Sequence, residues 1–171
     1  PIREIIKEYS KNKEVLDLFS YDGAFSVYAL SGRAKNITAV ELNGENMSLI
    51  KRNLILNKEK LLIDKVSVYQ ENPIEFINLA KETSTFYDLV IFNANSQIPG
   101  NVFDLKNDHL LLIKSIQENL LTPGGILFFI TDSEGFVMDR YIRPGADNLT
   151  KKTIPDEFKP LRPHQVFVFY N

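Results

Sequence analysis

Short apolar runs alternate with helix-period segments along most of this chain, and few folds satisfy that alternation. Ile2, Ile5, Ile6 and Tyr9 recur at helical spacing and predict an amphipathic first helix. Val15-Leu16-Asp17-Leu18-Phe19 then reads as a parallel strand buried on both faces, with one acid inside it. A turn over Ser20 to Gly23 leads into a helix over residues 25–30, closed by Ser31-Gly32. Further strands are predicted at residues 37–42, 66–69, 87–92 and 126–131. Between them, Met47, Ile50 and Leu54 mark one helix, and residues 73–81 form another with Pro73 in its first turn. A third, at residues 108–121, is stopped by Pro123-Gly124-Gly125. Such a series builds a doubly wound α/β sheet with helices on both faces. The end of the chain differs. Residues 147–158, with Thr150, Thr153 and Ile154, predict a sixth strand, and Pro155, Pro160 and Pro163 forbid a helix there. Gln165 to Tyr170 alternates and is aromatic, so it reads as a seventh strand. The expectation is a seven-stranded, mostly parallel sheet with a C-terminal antiparallel hairpin.

A chain of 171 residues suits one such domain with a single core. No apolar run approaches the ~20 residues that span a bilayer, and no signal-peptide pattern opens the chain. The absence of Cys removes disulfides and thiolate metal sites, in keeping with a cytoplasmic protein. His109 and His164 lie far apart and lack metal-ligand spacing, so no metal is expected. The net charge of −2 argues against a chain that grips nucleic acid over its whole surface. A local basic patch around Lys151, Lys152, Lys159 and Arg162 is the alternative to a merely solvated surface. The first residue is Pro1, in or just before a helix, which suggests a domain cut from a longer protein whose upstream part supplies basic surface.

In an open α/β sheet the ligand sits beyond the carboxyl ends of the strands, at the switch point. Four strand ends therefore carry the chemistry. After the first strand, Gly23 permits a sharp turn beside a ligand, and Asp17 would balance a cationic cofactor. Glu41, at the tip of the second strand, can accept hydrogen bonds from both hydroxyls of a ribose. After the third strand, Asn72 serves equally as an acceptor for an adenine amino group or as the cap of the helix that Pro73 begins. After the fourth, Phe92-Asn93-Ala94-Asn95-Ser96 opens a long loop reaching about Asp104, and such loops are commonly functional. A nicotinamide-binding domain would share the turn and the acid but would show G-x-G-x-x-G, where this chain has only Gly23.

The run VLDLFSYDGAFSVYALSGRAKNITAVELN resembles large-subunit ribosomal RNA methyltransferases whose first motif reads roughly LFSYTGxF. DHLLLIKSIQENLLTPGGILFF is similar to the same family's fourth helix and fifth strand. LTKKTIPDEFKPLRPHQVF resembles the terminal signature of its guanine-methylating branch, the second domain of the bifunctional rRNA guanine methyltransferases. The resemblance runs from about Glu14 to the C-terminus. It implies a Rossmann-like class I fold, S-adenosylmethionine as cofactor, and methylation of guanine in large-subunit ribosomal RNA, with an upstream region helping to hold the RNA. It implies cofactor contacts at Asp17, Phe19, Ser20, Tyr21, Gly23, Glu41 and Asn72, and a catalytic position at Asn93.

Two departures from the family pattern bear on chemistry. Relatives carry Asp where Asn72 stands, and a neutral acceptor should hold adenine more weakly. Relatives carry Asp-Pro-Pro where this chain has Asn93-Ala94-Asn95, so an acid and two ring-stiffened residues are missing from the loop that presents the base. Methylation of a pyrimidine carbon needs a covalent nucleophile, normally Cys, and this chain has none. Methylation of an exocyclic amine benefits from acceptors that orient it, of which Asn93 offers one. Guanine N7 presents an in-plane lone pair and loses no proton, so its methylation depends mainly on positioning and suffers least from the departures. The alternative expectation is a degenerate module of methyltransferase type that binds RNA or a partner without catalysis.

Overall fold

A computed structural model describes residues 1–58, 60–95, 98, 101–161 and 163–171, with Lys159 and Pro160 described by their backbone. In chain order the elements are α1 (Ile2–Tyr9), β1 (Glu14–Leu18), α2 (Ala24–Ser31), β2 (Asn36–Glu41) and α3 (Gly44–Asn57). They continue with β3 (Val66–Gln70), α4 (Pro73–Glu82), β4 (Tyr87–Asn93), α5 (Leu105–Asn119) and β5 (Leu121–Thr131). β6 (Ala146–Asn148), α6 (Thr150–Thr153) and β7 (Gln165–Tyr170) complete the set. The strands form one sheet in the order β3-β2-β1-β4-β5-β7-β6. β1 through β5 pair in parallel, and β7 runs antiparallel to both β5 and β6.

Side-chain alternation along the strands feeds two cores. Leu89, Ile91, Phe128 and Ile130 face α1, α2 and α3, where Ile6, Ala29, Leu30, Ile50 and Leu54 meet them. Val90, Phe92, Leu127 and Phe129 face α4 and α5, against Ile77, Ala80, Ile113 and Ile116. Burial on both faces explains why these strands read as continuous apolar runs. The chain winds from β1 out to β3 and returns through β4 to β5, so the carboxyl ends of β1 and β4 diverge and leave a crevice between them.

The expected sheet and its antiparallel end are present, but several local expectations need correction. β1 stops at Leu18, because Phe19 turns to a left-handed φ of 54°. α5 begins at Leu105, before the expected residue 108, since Asp104 caps it by accepting from Lys106 N–H (3.0 Å) and Asn107 N–H (3.3 Å). Pro123-Gly124-Gly125 lies inside β5, where a register shift opposite Tyr87 and Leu89 accommodates it. Only Ala146–Asn148 forms the sixth strand; Thr150–Thr153 is a helical turn begun by Asn148, whose Oδ1 accepts from Thr150 N–H (3.0 Å). The proline-rich stretch does hold a helical segment, the 3₁₀ run Asp156–Leu161, in which Phe158 N–H donates to the Pro155 carbonyl at 2.9 Å. Of the suspected basic patch, Lys151 and Lys152 are exposed, while Arg162 and the Lys159 side chain lie outside the described residues. Among the described residues, no helix is long and apolar enough to cross a membrane.

Candidate functional site

The turn after β1 has an unusual backbone. Phe19, Tyr21 and Gly23 all take left-handed φ, at 54°, 54° and 73°. For residues with a Cβ this costs roughly 1–2 kcal/mol each, so surrounding contacts must hold them. Phe19 is held by aromatic packing, edge-on to Phe92 at 5.4 Å and tilted against Phe103 at 6.5 Å between centroids. Tyr21 is held by its own N–H, which donates to Glu41 Oε2 at 2.9 Å. Ser20 is buried between them, and its hydroxyl donates to the Asp17 carbonyl at 2.7 Å. Gly23 caps α2 and presses against α3: a Cβ there would lie 2.9 Å from Ile50 Cγ2.

Glu41 organises the tip of β2. Its Oε1 accepts from Asn43 N–H (2.9 Å) and from the Asn46 amide (3.3 Å), opposite the Tyr21 bond on Oε2. A carboxylate has about four acceptor positions, so at least one stays open to a ligand. Phe19, Tyr21, Glu41, Asn43, Asn46 and Asn95 are among the residues lining a cleft of about 400 Å³ at this point. That volume lies within the ~300–1,000 Å³ usual for small-molecule sites.

Asp17 lies beneath the turn, on the α2 face of the sheet, with 0% exposure. Its Oδ2 accepts from the Ser26 hydroxyl at 2.6 Å, and Oδ1 has no hydrogen-bond partner among the described residues. Burial pushes its pKa from the ordinary 3.8 to about 7; the Ser26 bonds oppose the rise and the negative charges of Asp22 and Glu41 add to it. Asp17 does not line the cleft itself, but an orphaned buried carboxylate oxygen beneath the turn fits a cationic ligand group.

The other expected positions divide. Asn72 acts as the cap of α4, its Oδ1 accepting from Ile74 N–H at 3.0 Å, and it is not part of the cleft lining. Asn93 ends β4 and lines a neighbouring hollow. The first two residues after Asn93 are hydrogen-bonded despite the missing prolines. Ala94, buried at 1% exposure, donates its N–H to the Ile130 carbonyl at 2.8 Å, and Asn95 N–H donates to the Asn93 carbonyl at 2.9 Å. Proline could make neither bond. Ser96 lies outside the described residues. Sequence reasoning missed Asn43 and Asn46, which brace Glu41. Asn43 is also the N-cap of α3, a role that its type and place before a helix-period segment could have signalled. Asp132, exposed, and His164, half-buried, line the hollow beside Asn93.

The chain is 33% identical over 93% of its length to Ribosomal RNA large subunit methyltransferase K/L of Hahella chejuensis, but spans only 22% of that protein. It is 28% identical over 95% of its length to Ribosomal RNA large subunit methyltransferase K of Neisseria meningitidis, of which it spans 47%. In fold it matches the 16S rRNA N2 G1207 methyltransferase of Thermus thermophilus, solved with AdoMet and guanosine, at a TM-score of 0.66 and 17% identity. That match takes in 99% of this chain and 40% of the other. Residues 2–139 match the family described as Conserved hypothetical protein 95. In sequence the chain is similar to methyltransferases of large-subunit ribosomal RNA, it carries the fold of the solved methyltransferase it matches, and it belongs to the Conserved hypothetical protein 95 family.

Proposed function

We propose that this chain is an S-adenosylmethionine-dependent methyltransferase domain of a longer cytoplasmic protein, acting on a guanine of large-subunit ribosomal RNA. The observation that carries the reading is the acid at the tip of β2. Glu41 stands in a cleft at the switch point, braced by three protein donors and with acceptor capacity left over. Glu41 would take the ribose hydroxyls, at the expense of the long Asn46 contact if both bind. Asp17 would face the cofactor's positive groups, with Ser20 and Gly23 shaping the turn above it and Phe19 and Tyr21 forming the cleft wall. Asn72 is the weakest of the proposed contacts, since its side-chain oxygen is already engaged in capping α4. The cofactor contributes an activated methyl group on sulfonium. The chain contributes binding, orientation and exclusion of water, with the Asn93 amide as a polar group that would orient the acceptor.

A second reading is favoured by one observation, the replacement of Asp-Pro-Pro by Asn93-Ala94-Asn95. With no acid at residue 93 and a net charge of −2, the chain by itself would bind the cofactor and turn over poorly without further RNA-binding surface. One measurement tests both readings together and a second separates them. Calorimetric titration with S-adenosylhomocysteine should give saturable binding, and its absence defeats both. A radiolabelled methyl-transfer assay on unmodified large-subunit rRNA should show little activity from the isolated chain. Strong activity would remove the second reading and leave the plain enzyme.

A further inference from the structure

The end of the sheet opposite the cleft is basic. Three loops lie there, residues 10–13, 32–35 and 58–65, and by sequence they hold seven cations against two acids. The carboxyl ends of α1, α2 and α3 point the same way, each carrying roughly half a negative charge, so they cancel only part of that excess. With a net charge of −2 for the whole chain, the remainder is correspondingly acidic. Charge is thus separated along the strands, and a polyanion is steered toward one end of the molecule.

Between these loops lies a hollow of about 410 Å³. Arg33, Lys60 and Lys65 line it, and the Asn12 amide adds a neutral donor. Among the described residues none of these three cations is in an ion pair, whereas Lys35 nearby is held by Glu14 at 2.9 Å. Arg33 also stands where the backbone asks for another residue. α2 closes in a Schellman pattern: Arg33 N–H donates to the Leu30 carbonyl at 3.0 Å, and Ala34 N–H donates to the Ala29 carbonyl at 3.1 Å. Arg33 takes the left-handed φ of that pattern, 65°. Glycine suits this position, and any residue with a Cβ is strained in it. The Arg33 side chain is exposed and makes no hydrogen bond or ion pair among the described residues that would offset the strain.

We propose that this basic end is a nucleic-acid surface separate from the cleft, on which Arg33, Lys60 and Lys65 hold the phosphate backbone of a structured RNA arm remote from the methylated nucleotide. The choice of RNA as the polyanion rests on the ribosomal RNA reading above. Phosphate contacts position an RNA without reading its sequence. Lying at the far end of the strands, the surface adds hold on the RNA and presents no base to the cleft.

The test uses the whole chain with short labelled RNA duplexes of unrelated sequence, followed by fluorescence anisotropy at several salt concentrations. All duplexes should bind alike, and the logarithm of affinity should fall linearly with the logarithm of salt. The triple variant Arg33→Glu/Lys60→Glu/Lys65→Glu should weaken binding at least tenfold. It should also flatten the salt dependence by about two units of slope, since each phosphate contact contributes ~0.7–0.9. S-adenosylhomocysteine affinity should stay within twofold, and Lys151→Glu/Lys152→Glu should bind the duplexes as the parent does. Arg33→Gly removes one cation and relieves its backbone, so it should raise the urea midpoint while weakening the duplex about threefold, as for one screened ion pair. A lower midpoint in Arg33→Gly, duplex binding that survives the triple reversal, or no duplex binding by the unsubstituted chain at low salt overturns the proposal. So does tighter binding to anionic phospholipid vesicles than to duplex at equal phosphate concentration. Loss of duplex binding in the triple variant with no S-adenosylhomocysteine binding by the parent supports the surface and overturns the cofactor reading alone.

Discussion

Asp17→Asn should make the protein's stability less sensitive to pH. In the folded chain the Asp17 carboxyl titrates at about 7 rather than 3.8, because it is fully buried with one oxygen unpartnered among the described residues. Between those values the unfolded chain has released the proton and the folded chain still holds it. Stability must therefore fall as pH rises through this window and level off above about 7. Roughly three units at about 1.4 kcal/mol each give a total loss on the order of 4 kcal/mol. Asparagine does not titrate. Its carbonyl oxygen can still accept from the Ser26 hydroxyl, but its amide nitrogen inherits the unpartnered position, at about 1–3 kcal/mol. The variant should thus be the weaker protein near pH 4 and the stronger one near pH 8, by about 2 kcal/mol in each direction. The assay is urea unfolding by far-UV circular dichroism at several pH values, on parent and variant together. Other carboxylates contribute equally to both proteins, so the difference curve isolates Asp17. A difference that stays flat between pH 4 and 8 would refute the reasoning.

Glu41→Ala should weaken S-adenosylhomocysteine binding about tenfold or more by calorimetry, since a hydrogen bond to a charged group is worth ~1.5–3 kcal/mol; unchanged affinity would take Glu41 out of the site. Gly23→Ala should cost about 2–3 kcal/mol in urea unfolding, from its left-handed backbone and the 2.9 Å approach to Ile50. A loss under half a kilocalorie would show that α3 shifts freely. Ala94→Pro should lower stability by about 1–3 kcal/mol, because the Ile130 carbonyl loses its donor. Unaltered stability would mean that the bond is dispensable and that a proline loop fits this sheet equally well.

What was legible in the sequence follows physical lines. β1, β2, β4 and β5 are buried in the middle of a parallel sheet, so their apolar runs announce them. β6 has three residues, two of them exposed, and no run of three can display a period. The Thr-rich turn at Thr150–Thr153 favours strand by propensity, but the Asn148 side chain that accepts from Thr150 N–H and the Thr153 hydroxyl bond to Thr150 decide for helix. Glu41 was legible because an acid closing a hydrophobic strand conflicts with burial unless it has work to do. The brace that holds it was not, because Asn43 and Asn46 look like ordinary helix-start residues. Nor could the left-handed Phe19 and Tyr21 be foreseen, since nothing in an aromatic side chain asks for that backbone. The meeting of Arg3, Asp132 and His164 depends on where α1 and β7 settle, which local patterns do not encode.

The placement of β7 has a cost during synthesis. Among the described residues, β6 pairs only with β7, and β5 is covered on that side only by β7. A nascent chain that has made β5 and β6 but not yet β7 carries Leu127, Phe128, Phe129 and Ile130 on a strand with one unpaired edge. That edge is apolar, uncharged and open to any passing strand, so this is the interval in which the protein is most prone to aggregate. The same vacancy makes the fold a natural acceptor for a strand supplied in trans. A chain ending before Gln165 should be rescued by a separate peptide carrying Gln165–Tyr170, as in donor-strand complementation.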